Sequence, residues 1–97
     1  MEFKLYLKTG FYKKTACNVK VEKHKIILTS LLNETTPIQI LDKDITAVIV
    51  GDIKTRELEI QTYSNNYIGS LDTDTKITYV LDTMKKNLRT DFIFKGG

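Results

Sequence analysis

The sequence has no Trp and only one Cys, one Pro and one His in 97 residues. A lone cysteine, Cys17, excludes an intramolecular disulfide and any cysteine-rich zinc site. A lone histidine, His24, sits between Lys23 and Lys25 and is seven residues from Cys17. Nucleophilic catalysis needs a nucleophile, a base and an orienting group, and no such set is spelled here. No apolar run approaches the roughly 20 residues that cross a bilayer. The opening Met1-Glu2-Phe3-Lys4-Leu5-Tyr6 alternates and carries charge, without the apolar stretch of a secretion signal. The expectation is a cytoplasmic protein. There the sequon Asn33-Glu34-Thr35 has no meaning.

What is present is an ordinary globular balance: 41% hydrophobic and 28% charged residues, in a length that fits one domain over 1–97. The net charge of +3 is unevenly spread. Residues 1–25 hold seven Lys against Glu2 and Glu22, residues 26–84 hold nine acids against four bases, and residues 85–97 are basic again. The chain therefore has basic ends and an acidic middle.

Hydrophobic periodicity organises the chain. Phe3, Leu5 and Leu7 alternate with polar neighbours, as do Cys17, Val19 and Val21, which is the period of a half-buried strand. Ile26–Leu31, Ile38–Leu41, Ile45–Val50, Glu57–Tyr63 and Tyr67–Leu71 complete seven strand-like runs. Asn65-Asn66 suits a tight hairpin because Asn tolerates positive φ. The period then changes. Ile77, Val80, Leu81, Met84 and Leu88 form one stripe of an α-helix. Asp72, Thr73 and Asp74 are expected to cap and charge its first turn, and Lys85, Lys86 and Arg89 its last. Lys95-Gly96-Gly97 reads as a frayed tail. Leu5, Val19, Leu28, Ile40, Val48, Leu58, Ile60, Val80, Leu81 and Met84 are the expected core.

Consecutive short strands with tight turns predict antiparallel meanders rather than βαβ units. The predicted fold class is mainly β (α+β): a seven-stranded antiparallel barrel or sandwich capped by one C-terminal α-helix. In this element order the chain resembles the pleckstrin-homology (PH)-like superfold, particularly small bacterial PH and GRAM-like domains. The stretches that carry the resemblance are Pro37-Ile38-Gln39-Ile40 leading to Asp44-Ile45-Thr46-Ala47-Val48, then Leu58-Glu59-Ile60, Tyr67-Ile68-Gly69-Ser70-Leu71 and the closing helix. The Trp that eukaryotic PH domains carry in the helix is missing.

Several chemistries fall away on spacing. Cys17 shares a strand face with Val19 and Val21 and reads as an inert core thiol. Glu57 and Glu59 project from one strand face, and Asp42 and Asp44 flank a turn; both pairs read as solvated polar surface rather than acid–base or cation sites. Asp72-Thr73-Asp74 opens like a calcium loop, but Ile77 stands where that loop needs Gly and Thr83 where it needs Glu. No enzyme, metal or cofactor is expected.

Surface binding remains. The resemblance implies that Lys8, Lys13, Lys14 and Lys20 contact an anionic headgroup, with Phe11 or Tyr12 dipping into the interface. A bare structural reading of the same lysines is that they keep an edge strand soluble. The resemblance also implies peptide docking near Ile45–Val50 and the helix around Met84 and Leu88. The apolar tail Phe92-Ile93-Phe94 reads separately as a partner-binding or self-association patch, with folding back onto the sheet as its alternative. Basic-aromatic interleaving over 8–14 permits nucleic-acid contact, and the acidic middle argues against it. The expected function is a non-catalytic module for protein interaction or self-association. Peripheral membrane binding is the alternative.

Overall fold

The computed structural model describes residues 1–8, 14–31, 36–51, 54 and 56–95. The strands are β1 (Glu2–Lys8), β2 (Lys14–Glu22), β3 (Lys25–Ser30), β4 (Ile38–Leu41), β5 (Ile45–Val50), β6 (Glu57–Thr62) and β7 (Asn66–Leu71). A 3-10 turn, Asp42–Asp44, separates β4 from β5. Helix α1 (Ile77–Asn87) follows, then a short strand β8 (Phe92–Phe94).

Alternation places the core as expected. Phe3 and Leu5 of β1, and Cys17, Val19 and Val21 of β2, turn inward while Lys4 and Lys20 stay out. All ten side chains expected in the core are buried, while Leu7 and Ile77, on the same apolar stripes, are half-buried. Helix α1 is too short to be stable alone in water. It persists because Val80, Leu81 and Met84, with Leu88 just beyond its end, join the core formed by the buried side chains of the sheet. Fully burying a side chain of this size contributes roughly 1.5–3 kcal/mol.

The sheet runs β4-β3-β2-β1-β7-β6-β5-β8. Strand β1 joins two meanders: it pairs with β2 on one side and with β7 on the other, Leu5 opposite Leu71 and Leu7 opposite Gly69. Gly69 is required by that approach. A methyl group there would stand 2.7 Å from Leu5 Cγ and 2.9 Å from the Tyr6 carbonyl oxygen.

The structure is mainly β with one C-terminal helix, and two finer expectations are corrected. Among the described residues there are eight strands, not seven, and the sheet is mixed because β8 runs parallel to β5. A parallel pair needs a crossover connection, and the chain between β5 and β8 includes β6, β7 and helix α1. The result is one sheet ending at β4 and β8, not a closed barrel.

The helix start is also corrected. Lys76 occupies the N-cap position without a side-chain cap, and the first turn holds no acid. Asp72 instead accepts the Thr75 N–H through its carbonyl (3.0 Å) in a separate turn. The Arg56 guanidinium ties that turn down by donating to the carbonyls of Asp72 (2.8 Å) and Thr75. Lys85 and Lys86 do lie in the last turn. Finally, neither Asn65 nor Asn66 has positive φ; among the described non-glycine residues only His24 (64°) and Arg56 (51°) do. The β6–β7 loop is closed by Thr62, whose hydroxyl accepts the Asn65 N–H at 2.9 Å.

Candidate functional site

Three surfaces compete. The first carries the basic residues near the β1–β2 connection. Phe11, Tyr12 and Lys13 lie outside the described residues. Lys8 and Lys14 face each other in register at the ends of β1 and β2. The Lys8 ammonium is 2.8 Å from a Glu57 carboxylate oxygen, so part of its charge is already answered. Lys20 pairs in register with Glu2, at the far end of β1. Six residues of strand separate it from Lys8 and Lys14, about 20 Å, and its ammonium is 3.9 Å from Glu22. The structure brings Lys8 and Lys14 together and leaves Lys20 apart.

The second surface is β8, which carries Phe92 and Phe94. Val48 donates its N–H to the Asp91 carbonyl (2.9 Å), and Lys95 donates its own to the Val50 carbonyl (2.8 Å). Lys95 is therefore tied to the sheet. In a parallel ladder alternate residues bond to the same neighbour. Asp91, Ile93 and Lys95 therefore turn their backbone groups to β5, and Phe92 and Phe94 turn theirs outward. Among the described residues, no strand lies beyond β8. The side chains divide similarly. The Lys85 ammonium stands 5.7 Å from the Phe92 ring centre and 5.2 Å from that of Phe94, placing both rings on the helix side. Phe92 packs against the core, while Ile93 is 47% and Phe94 57% exposed. A short edge strand thus presents free backbone groups and two large apolar side chains together.

The third surface was not anticipated. The β2–β3 turn, the 3-10 turn and the segment after α1 meet at an open crevice of about 530 Å³, lined by His24, Leu41, Asp42, Lys43, Ile45 and Arg89 among others. Asp42 organises it: both of its oxygens accept the Arg89 N–H, and one lies 3.5 Å from His24 Nδ1. The backbone reinforces the junction, with His24 N–H bonded to the Asn87 carbonyl and Asp42 N–H to the His24 carbonyl, each at 2.9 Å. The positive φ of His24 belongs to this turn. A His–Asp pair resembles part of a catalytic set. However, the Thr90 hydroxyl on the wall donates to the Ile45 carbonyl at 3.4 Å, and no nucleophile faces the imidazole among the described residues. The junction fastens the helix C-terminus to the sheet. Sequence alone showed a turn carboxylate and a turn histidine 18 positions apart, with nothing to join them.

The remaining chemical candidates are spoken for. Glu57 holds Lys8, and Glu59 accepts from the Gln61 amide at 2.9 Å. Burial pushes the Cys17 thiol pKa up, against nucleophilic use. Among the described residues, no group of three His, Cys, Asp or Glu side chains is placed to hold a metal ion. None of the described helices is long and apolar enough to cross a membrane. No protein-family model matches the chain, and no curated protein matches it significantly.

Proposed function

We propose that this chain is a non-catalytic interaction module on a PH-like scaffold, and that it binds protein by strand addition at the β8 edge. The observation that carries the reading is the state of that edge: Phe92 and Phe94 face their backbone donors and acceptors away from β5, beside the exposed side chains of Ile93 and Phe94. Unpaired edges of this kind are what an added strand satisfies. The other end of the sheet is a poorer platform. Strand β4 follows Pro37, which has no N–H to offer. Seven strands followed by one helix support the PH-like reading, and β8 is an addition to that order. The lipid reading is the less favoured one, because Lys8 is paired with Glu57 and Lys20 is remote.

The test is to pan a displayed library of random twelve-residue peptides on the immobilised chain, then map the selected peptides by amide shifts. Binding that perturbs residues 91–95 and β5, and is lost in Phe94→Pro, is the expected result. That substitution removes an outward-facing donor and spares the bonds to β5. Selected peptides that map elsewhere overturn the reading. So does salt-sensitive sedimentation with anionic vesicles that disappears in Lys8→Ala/Lys14→Ala.

A further inference from the structure

We propose that the strand added at β8 is β8 of a second copy, paired antiparallel about a two-fold axis through Ile93. This rests on the reading of β8 as an interaction edge, and it names the partner and the register.

The argument begins with the segment Asp91-Phe92-Ile93-Phe94-Lys95. Antiparallel pairing centred on Ile93 sets Phe92 opposite Phe94 of the second copy, and Asp91 opposite its Lys95. The segment is complementary to itself in charge, so each end of the seam joins an acid to a base. The backbone selects the same register. Phe92 and Phe94 already face outward, and directly opposed residues of an antiparallel pair exchange both hydrogen bonds in alternate positions. Phe92 and Phe94 become the hydrogen-bonded pairs, and the two Ile93 residues the non-bonded pair. That suits Ile93, whose own groups serve β5. Centring on Phe92 or Phe94 instead leaves outward groups unpaired and sets Asp91 and Lys95 off register.

The faces also agree. Both phenylalanine rings lie on the helix side under Lys85, so the seam gathers the rings of both copies into one aromatic cluster. The two Ile93 side chains meet on the opposite face, each otherwise 47% exposed. The pairing covers the exposed apolar groups of β8 and extends the mixed sheet across both copies. Isologous contact of this kind closes on itself and does not propagate into a filament. A seam of three-residue strands is small, so the dimer is of the weak class and forms at high concentration.

The test is sedimentation equilibrium from micromolar to millimolar concentration, with the fold checked by circular dichroism. The natural chain is expected to dimerise. Asp91→Lys, which sets like charges across both ends, is expected to weaken the dimer by roughly tenfold. Lys95→Asp does the same, and Asp91→Lys/Lys95→Asp restores it. Raised salt weakens the natural dimer. In a Cys17→Ala background, Ile93→Cys is expected to form an intermolecular disulfide on mild oxidation, because the Cα atoms of a non-bonded pair lie about 4.5 Å apart, within the span of a disulfide. A chain that remains monomeric at millimolar concentration overturns the proposal, and peptide binding at β8 would then survive on its own. A dimer indifferent to Asp91→Lys, or one not rescued by the charge exchange, overturns the register.

Discussion

The Asp42 carboxylate accepts the backbone N–H of Arg89 on both oxygens, at 3.1 and 3.0 Å, across 47 residues of chain. This contact anchors the start of the segment that leads from α1 to β8. The Asp42 side chain is half-buried, and its bonds to Arg89 lie at the exposed junction beside the crevice. Asp42→Ala is expected to cost about 1 kcal/mol, the net worth of an ordinary hydrogen bond, because this one is exposed. Hydrogen exchange should quicken first over residues 89–95, with β1–β3 unchanged. Uniform acceleration would show that the contact does not act locally.

Arg56 has two functions that substitution can separate. Its guanidinium holds the turn before α1, and its backbone occupies the left-handed region, φ 51°. Arg56→Ala loses the first and keeps the strain of the second. Arg56→Gly loses the first and relieves the second, so it should be the more stable of the two by about 1 kcal/mol. Arg56→Lys keeps charge without the planar fork and should fall well short of the natural chain. Urea unfolding of the three variants checks the order.

Gly69→Ala tests the join between the two meanders. The added methyl meets Leu5 and the Tyr6 carbonyl at distances that force β1 and β7 apart. A loss of roughly 1–3 kcal/mol in urea is expected, as for overpacked cores. The larger Leu5→Ala truncation, in a fully buried site, should cost about 2–5 kcal/mol. Combining Leu5→Ala with Gly69→Ala should cost less than the sum, because the first makes room for the second.

Cys17 reports on opening of the sheet. Burial raises its thiol pKa above the ordinary 9.0. The folded chain therefore holds the proton where the unfolded chain releases it, and this group's contribution to stability declines as pH rises above 9.0. At neutral pH, labelling by a thiol reagent should be slow and should accelerate in step with global unfolding by urea. Fast labelling of the native chain would place Cys17 near a locally opening edge.

Much of the architecture could be read from residue order. Phe3 and Leu5, or Cys17, Val19 and Val21, repeat every second position, and Ile77, Val80, Leu81 and Met84 follow the helical period; each period decides a local backbone and the face it buries. Strand β8 escaped because three residues are too few to show a period. Its identity comes from the free edge of β5. The first turn of α1 was misplaced because Asp72, Thr73 and Asp74 have the chemistry of caps, while Arg56, remote in sequence, holds their backbone in a turn of its own. The β8 edge was legible as an apolar segment at Phe92 and Phe94, and its outward backbone only from the pairing with β5.

Local sequence by itself determined that β1 to β7 extend, where the body of the helix lies and which side chains leave water, because those depend on neighbours within a few residues. Tertiary structure alone decided that β1 joins the two meanders, that β8 lies parallel to β5, that Asp42 reaches Arg89 and that Lys20 stands apart from Lys8. Each of these is a pairing between distant residues. Its outcome turns on which backbone edges remain unpaired once the core has closed, and short-range periodicity carries no information about that.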